Sequence, residues 1–162
     1  MTKFLATQTG QKLAYSFTKG TGPTVVFLGG FKSDMEGSKA IFLEKWAKKR
    51  NRSFLRFDYS GHGQSTGDFL NLGIGDWFND AKQIIELTKN NGLILIGSSM
   101  GGWISLLLSR ELGSRLKGLI TIAAAPDFTE DSMWKNFTED QKKEVLNKGV
   151  LYLPSDYGEP YP

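Results

Sequence analysis

Apolar positions along this chain follow two periods. Phe4 to Thr9 and Leu13 to Thr18 alternate apolar and polar residues on either side of Gly10-Gln11, the spacing of a β-hairpin. Gly20-Thr21-Gly22-Pro23 breaks that pattern. Thr24-Val25-Val26-Phe27-Leu28 is then a continuous apolar run, as expected of a strand covered on both faces, and it ends in the loop Gly29 to Met35. A helix is expected from about Ser38, with Ile41, Leu43, Trp46 and Ala47 on its inner face. Ser53 to Asp58 reads as the next strand, followed by a glycine-rich loop, Tyr59 to Ser65. Asp76 is expected to cap a helix whose Trp77, Ala81, Ile84, Ile85 and Thr88 share one face, with Asn90-Asn91-Gly92 as its stop. Leu93 to Ile96 is a short buried strand, and the apolar run from Trp103 reads as a helix ending near Leu112-Gly113. Leu116 to Ala123 is read as one more buried strand.

Strands that alternate with helices after Gly22 imply right-handed crossovers and a mostly parallel, twisted sheet flanked by helices. The fold class is therefore α/β. Past Pro126 the character changes: Asp127 to Lys148 is polar and helical, with Met133, Trp134, Phe137, Val145 and Leu146 as apolar points. The tail from Gly149 carries three prolines and three tyrosines without periodicity. Residues 1–126 are expected to form the core and 127–162 to begin a lid over the substrate site, an ordinary surface helix pair being the alternative.

Composition narrows the picture. A chain of 162 residues is one domain, large enough to bury roughly 70% of its unfolded surface. A net charge of +3, from 20 basic and 17 acidic residues, is too mixed to point to nucleic acid. The cluster Lys45 to Arg50 suits a solvated helix end better than a phosphate site. No cysteine is present, so disulfides and thiolate chemistry are excluded. The N-terminus lacks the apolar core of a signal peptide, and no run approaches the roughly 20 apolar residues of a membrane span. A soluble cytoplasmic protein is the default expectation. One histidine without a nearby carboxylate cluster cannot build a catalytic metal site, and no cofactor is implied.

Candidate chemistry sits between the buried strand and its helix, at Gly97-Ser98-Ser99-Met100-Gly101. Gly97 and Gly101 allow strand and helix to pack closely, which forces Ser99 to the tip of a strained turn. Its hydroxyl then lies at a helix N-terminus, where backbone N–H groups and the dipole favour a developing negative charge. Strand, Gly-x-Ser-x-Gly, helix is the context of a nucleophile elbow. An idle serine in a small-residue turn is the alternative.

Several motifs now match in order. Gly29-Gly30-Phe31 stands where His-Gly-Phe is frequent, Asp58 to Ser65 forms a D-x-x-G-x-G-x-S loop, and Gly97 to Gly101 is the elbow. With these residues the chain resembles the α/β-hydrolase superfamily over essentially all of its length. More narrowly, Phe57 to Gly61, Gly97 to Trp103 and Lys142-Lys143-Glu144-Val145 resemble the branch that contains mitochondrial palmitoyl-protein thioesterase and acyl-glucuronide esterase. The resemblance implies hydrolysis of small acyl esters or thioesters through an acyl-enzyme on Ser99. It also implies an oxyanion hole made by the backbone N–H groups of Met100 and Phe31.

The triad order in that fold is Ser, then an acid, then His. The acid and the histidine normally follow later strands, and two more strand–helix units of roughly 30 residues each would be needed to carry them. The sheet is therefore expected to be incomplete at its C-terminal edge. His62, the single histidine, lies upstream in a glycine loop with an expected structural role, and Asp127 reads as a helix cap. Without its base a serine hydrolase loses on the order of a million-fold in turnover, so these residues alone are expected to be nearly inactive. Leu119 to Ala123 would then be an exposed apolar edge, open to self-association. A non-catalytic acyl-ligand module, or one half of a two-chain enzyme, are the other readings.

Overall fold

Six strands form one sheet in a computed structural model that describes residues 1–89 and 92–154. They are β1 (Lys3–Ala6), β2 (Lys12–Thr18), β3 (Thr21–Leu28), β4 (Arg52–Phe57), β5 (Leu93–Ser98) and β6 (Leu116–Ile122), in the order β1-β2-β4-β3-β5-β6. The hairpin β1–β2 and the pair β2–β4 are antiparallel; β4, β3, β5 and β6 run parallel. The sheet is α/β and mostly parallel. The helix stop expected at Asn90-Asn91 and the tail from 155 to 162 lie outside the described residues.

Helices α1 (Ser38–Lys49), α2 (Ile74–Ile85) and α3 (Met100–Leu112) connect the parallel strands. Val25 and Phe27 of β3 pack with Phe54, Ile96 and the α1 residues Ala40 and Ala47. Val26 and Leu28, which alternate to the opposite face, are equally buried. That two-sided burial explains why β3 reads as a continuous apolar run.

The differences from the sequence expectation have local causes. β3 starts at Thr21 and not Thr24, because Thr21 N–H donates to the Asn51 carbonyl and an irregularity before Val25 absorbs Gly22-Pro23. Asp76 is not the first cap of α2. It sits one turn in, and its carboxylate accepts from Gly73 N–H at 2.9 Å. β6 is not a buried strand: it lies at one edge of the sheet, with Ile120 51% and Ile122 36% exposed.

The chain divides into two compact units, Met1–Pro126 and Asp127–Pro162. Within the second, a π-type turn (Thr129–Met133) and a 3₁₀ turn (Trp134–Asn136) precede helix α4 (Glu139–Lys148). Thr138 caps α4, its hydroxyl accepting from Gln141 N–H while Gln141 Oε1 accepts from Thr138 N–H. Trp134 and Phe137 meet edge to face at 6.3 Å, and Leu146 is exposed.

One charged pair lies inside the core face of α1, where the periodicity gave no sign of it. Glu44 and Arg56 are both more than nine-tenths buried. Arg56 donates to Glu44 Oε2, to Glu36 Oε1 and to the Met35 carbonyl, while Thr18 and Ser16 hydroxyls donate to Glu44 Oε1. Burial pushes the Glu44 carboxyl up, but the Thr18 hydroxyl, Lys48 and Arg56 outweigh it and leave it below its ordinary value. Glu44→Leu is expected to cost about 3–5 kcal/mol in urea unfolding, since it leaves a buried guanidinium short of its partner. A loss below about 1 kcal/mol would show that the pair carries no net weight. The stability Glu44 contributes is expected to be intact at neutral pH. Its folded value lies below the unfolded one of about 4.3, so that stability disappears as the pH falls through the folded value, which acid titration of wild type against E44L would display.

Candidate active site

The parallel register brings three loops to one edge of the sheet. Leu28, the last residue of β3, pairs with Gly97 of β5, and Phe27 pairs with Arg56 near the end of β4. The loops after β3, β4 and β5 therefore leave side by side, at the carboxyl ends where α/β sheets bind ligands.

The elbow itself is enforced by sterics. A Cβ built on Gly97 would strike the Gly101 carbonyl and the Ser105 hydroxyl, and one built on Gly101 would strike the Leu28 and Gly29 carbonyls. Only glycine lets α3 approach β3 and β5 this closely. Ser99 takes up the resulting turn at φ 54° and ψ −119°, a strained conformation for a residue with a side chain. Its N–H donates to the Ile122 carbonyl, and its own carbonyl accepts from Gly102, Trp103 and Ala125 N–H groups. The turn is thus tied to β6 on one side and to α3 on the other. Ser99 is partly exposed, and Met100 begins α3 immediately after it.

The loop after β3 packs on Ser99. A Cβ at Gly30 would lie 3.3 Å from the Ser99 Cβ, which sets Phe31 one residue beyond that contact. Three anchors from the β4 side hold this loop. Arg56 donates to the Met35 carbonyl at 2.7 Å, Met35 N–H donates to Asp58 Oδ1 at 2.6 Å, and Lys32 N–H donates to His62 Nε2 at 3.2 Å. Asp58 Oδ2 also accepts from Gln64 N–H, tying its own loop to the same carboxylate. Burial pushes the Asp58 carboxyl up, and the Gln64 and Met35 N–H groups pull it back in part.

His62 is 3% exposed and both ring nitrogens are engaged, Nε2 with Lys32 and Nδ1 with the Ser60 carbonyl at 3.1 Å. Neither nitrogen is offered to Ser99, in keeping with a structural role for this loop. The rings of Tyr59, Phe69 and Trp77 surround the imidazole at 5.1–5.7 Å, and Phe31 joins the cluster against Phe69 and Trp77. Asp127 opens the second unit through its backbone carbonyl, which accepts from Glu130 and Asp131 N–H groups. The anchoring roles of Arg56 and Asp58 were missed in sequence. Asp58 carries a signal, the first position of the D-x-x-G-x-G-x-S loop, whereas Arg56 in an apolar strand carries none.

A cavity of about 230 Å³ opens between Gly30, Ser33, Gly37, Lys39 and Ser98, beside the elbow. A larger groove of about 550 Å³ lies between α2 and the end of α3. Its rim is laced by the ion pairs Lys82–Glu111 and Arg115–Glu86, whereas the smaller cavity is lined by Gly30 and Ser98, neighbours of Phe31 and Ser99. Among the described residues no group of three His, Asp or Glu side chains stands together as a metal site, and no helix is long and apolar enough to cross a membrane.

Comparison with known proteins agrees with this architecture. The family described as serine aminopeptidase, S33 matches residues 21–151. Human mitochondrial palmitoyl-protein thioesterase ABHD10 is 37% identical over 147 residues, covering 91% of this chain and 48% of that protein. The rat protein of the same name is 36% identical over 145 residues, covering 90% and 48%. The chain thus spans about half the length of the curated relatives it matches. Mouse alpha/beta hydrolase domain-containing protein 10 superposes with a TM-score of 0.87 at 33% identity, covering 100% of this chain and 66% of that one. A protein from Agrobacterium vitis S4 reaches a TM-score of 0.92 at 33% identity, covering 99% and 67%. The mammalian relatives are named as mitochondrial, which gives no support to the cytoplasmic location expected by default. Elbow, sheet order and these matches together show that the chain belongs to the α/β-hydrolase superfamily, within the family described as serine aminopeptidase, S33.

Proposed function

We propose that this chain supplies the nucleophile and oxyanion donors of a serine hydrolase acting on small acyl esters or thioesters. Ser99 Oγ attacks the acyl carbonyl carbon as its proton passes to a general base, which hands that proton to the leaving oxygen or sulfur as the C–O or C–S bond breaks. Water, deprotonated by the same base, then releases the acyl group as a carboxylic acid and Ser99 regains its proton. The backbone N–H groups of Met100 and Phe31 receive the oxyanion of each tetrahedral intermediate, each donor being typically worth about 3–4 kcal/mol. The observation that carries this reading is the strained Ser99 turn with the Gly30-Phe31 loop packed directly against it. The thioester preference is favoured by the names of the mammalian relatives, which are palmitoyl-protein thioesterases.

In this reading the general base and its acid lie outside residues 1–162. The one histidine has both nitrogens committed to backbone partners. A serine without a base is an ordinary alcohol. Fluorophosphonate labelling with mass spectrometry separates the cases, using Ser99→Ala as control. The 162-residue chain is expected to label no faster than S99A, and a longer chain that carries further strands with an acid and a histidine is expected to label at Ser99. Rapid labelling of Ser99 in the 162-residue chain would place a base within it. Labelling of the longer chain at another serine would remove Ser99 as the nucleophile.

Self-association belongs to the same reading. β6 lies at one edge of the sheet and exposes Ile120 and Ile122, an apolar edge of the kind that templates pairing with another strand. Sedimentation velocity of the 162-residue chain is expected to show dimers or larger species growing with concentration, and Ile120→Lys to suppress them. A monomer at every concentration would count against a sticky edge.

A further inference from the structure

We propose that His62 is a positioning residue for oxyanion stabilisation: its Nε2 holds the Lys32 N–H and thereby fixes the loop that presents the Phe31 N–H beside Ser99. This rests on the reading of Phe31 as an oxyanion donor.

The chemistry of the partners determines the tautomer. The Ser60 carbonyl can only accept, and it already takes the indole N–H of Trp77 at 3.0 Å, so its 3.1 Å contact with His62 Nδ1 requires a proton on Nδ1. Nε2 is then a bare lone pair, the acceptor that the Lys32 N–H needs at 3.2 Å. Ser60 is itself pinned, its N–H donating to Asp80 Oδ2 at 2.8 Å. A rigid line thus runs from Asp80 on α2 through Ser60 and the imidazole to Lys32. Lys32 sits at φ 53°, directly after Phe31, in the turn closed by Ser33 N–H on the Gly30 carbonyl at 3.1 Å. Loss of the Nε2 acceptor would free the Phe31–Lys32 peptide, and with it the backbone of Phe31 whose own amide lies one peptide upstream. The Phe31 ring, packed on the same Phe69 and Trp77 that flank His62, couples the two loops a second time.

Protonation of His62 would replace the acceptor with a second donor facing the Lys32 N–H. Burial and the charge of Lys32 hold the imidazole below its ordinary value, against the opposing pull of the Ser60 carbonyl. The charged and titratable groups around it are Lys32 from the β3 loop, Asp58 and Tyr59 from its own loop, and Asp80 from α2, the last acting through Ser60. Phe69 and Trp77 contribute no charge. The acceptor is therefore present at neutral pH and is withdrawn as the pH falls through the lowered value.

Two variants separate positioning from mere packing. Glutamine places its carbonyl oxygen three bonds beyond Cβ, where Nε2 stands, and asparagine stops at the place of Nδ1. H62Q keeps an acceptor for Lys32 and cannot titrate; H62N keeps only the donor to Ser60. Long-range ¹H–¹⁵N NMR of the 162-residue chain is expected to show a protonated Nδ1 and a bare Nε2. The Lys32 and Phe31 amide signals are expected to shift on acidification with the same midpoint as the ring nitrogens, to stay fixed in H62Q, and to exchange at least tenfold faster with solvent in H62N. A proton on Nε2 at neutral pH, or Lys32 and Phe31 amides that ignore His62, would overturn the proposal. In a longer chain competent for turnover, H62N is expected to lower kcat about tenfold or more with KM unchanged, and H62Q to recover most of it. Amides that follow His62 together with an unchanged kcat in H62N would leave the brace standing and remove Phe31 as a donor.

Discussion

The close approach of the α3 backbone to β3 and β5 is the constraint on which the rest of this structure depends. It exists because Gly97 and Gly101 have no Cβ to collide with the Gly101, Leu28 and Gly29 carbonyls. A helix brought in that tightly leaves one residue to turn the corner, and Ser99 does so in a conformation that costs on the order of 1–3 kcal/mol for a side-chain-bearing residue. The strain is held by the Ile122 carbonyl on one side and the first turn of α3 on the other. A hydroxyl at the apex and N–H groups at the helix start are direct consequences of that packing.

The second half of the site is assembled from the neighbouring strand. The β3 loop has no regular structure of its own to hold it, and its shape comes from groups on β4 and the loop beyond: Arg56 on the Met35 carbonyl, Asp58 on the Met35 amide and His62 on the Lys32 amide. Each of these is buried and polar. Such groups are tolerated only when paired, and each pairs with backbone of the β3 loop. Stability of the core and geometry of the site are thus carried by the same bonds.

Much of this was legible in the sequence because it follows from periodicity and glycine spacing. The strands from β3 onward, the inner face of α2 and the elbow are all written in apolar runs and in Gly97, Ser99 and Gly101. What was not legible depends on pairing across distance. Arg56 and Glu44 look like surface residues in an apolar strand and a basic helix, yet they are buried because each finds the other. Gly73 takes the capping place assigned to Asp76, since the aspartate reaches back from one turn inside the helix. The apolar run of β6 reads as a buried strand, yet β6 lies at a sheet edge with Ile120 and Ile122 exposed, in line with the open edge expected at Leu119 to Ala123. His62 could be read as structural from its glycine loop, but its partner, the Lys32 amide, lies thirty residues away in sequence.

The central claim is that the loop after β3 and the start of α3 form one oxyanion site around Ser99. A crystal structure of an organophosphonate adduct on Ser99, in a longer chain able to react with it, addresses this directly. The phosphonyl oxygen is expected between the Met100 and Phe31 amide nitrogens, about 2.7–3.1 Å from each. An oxygen turned toward solvent, or held by side chains instead of these two amides, would contradict the claim.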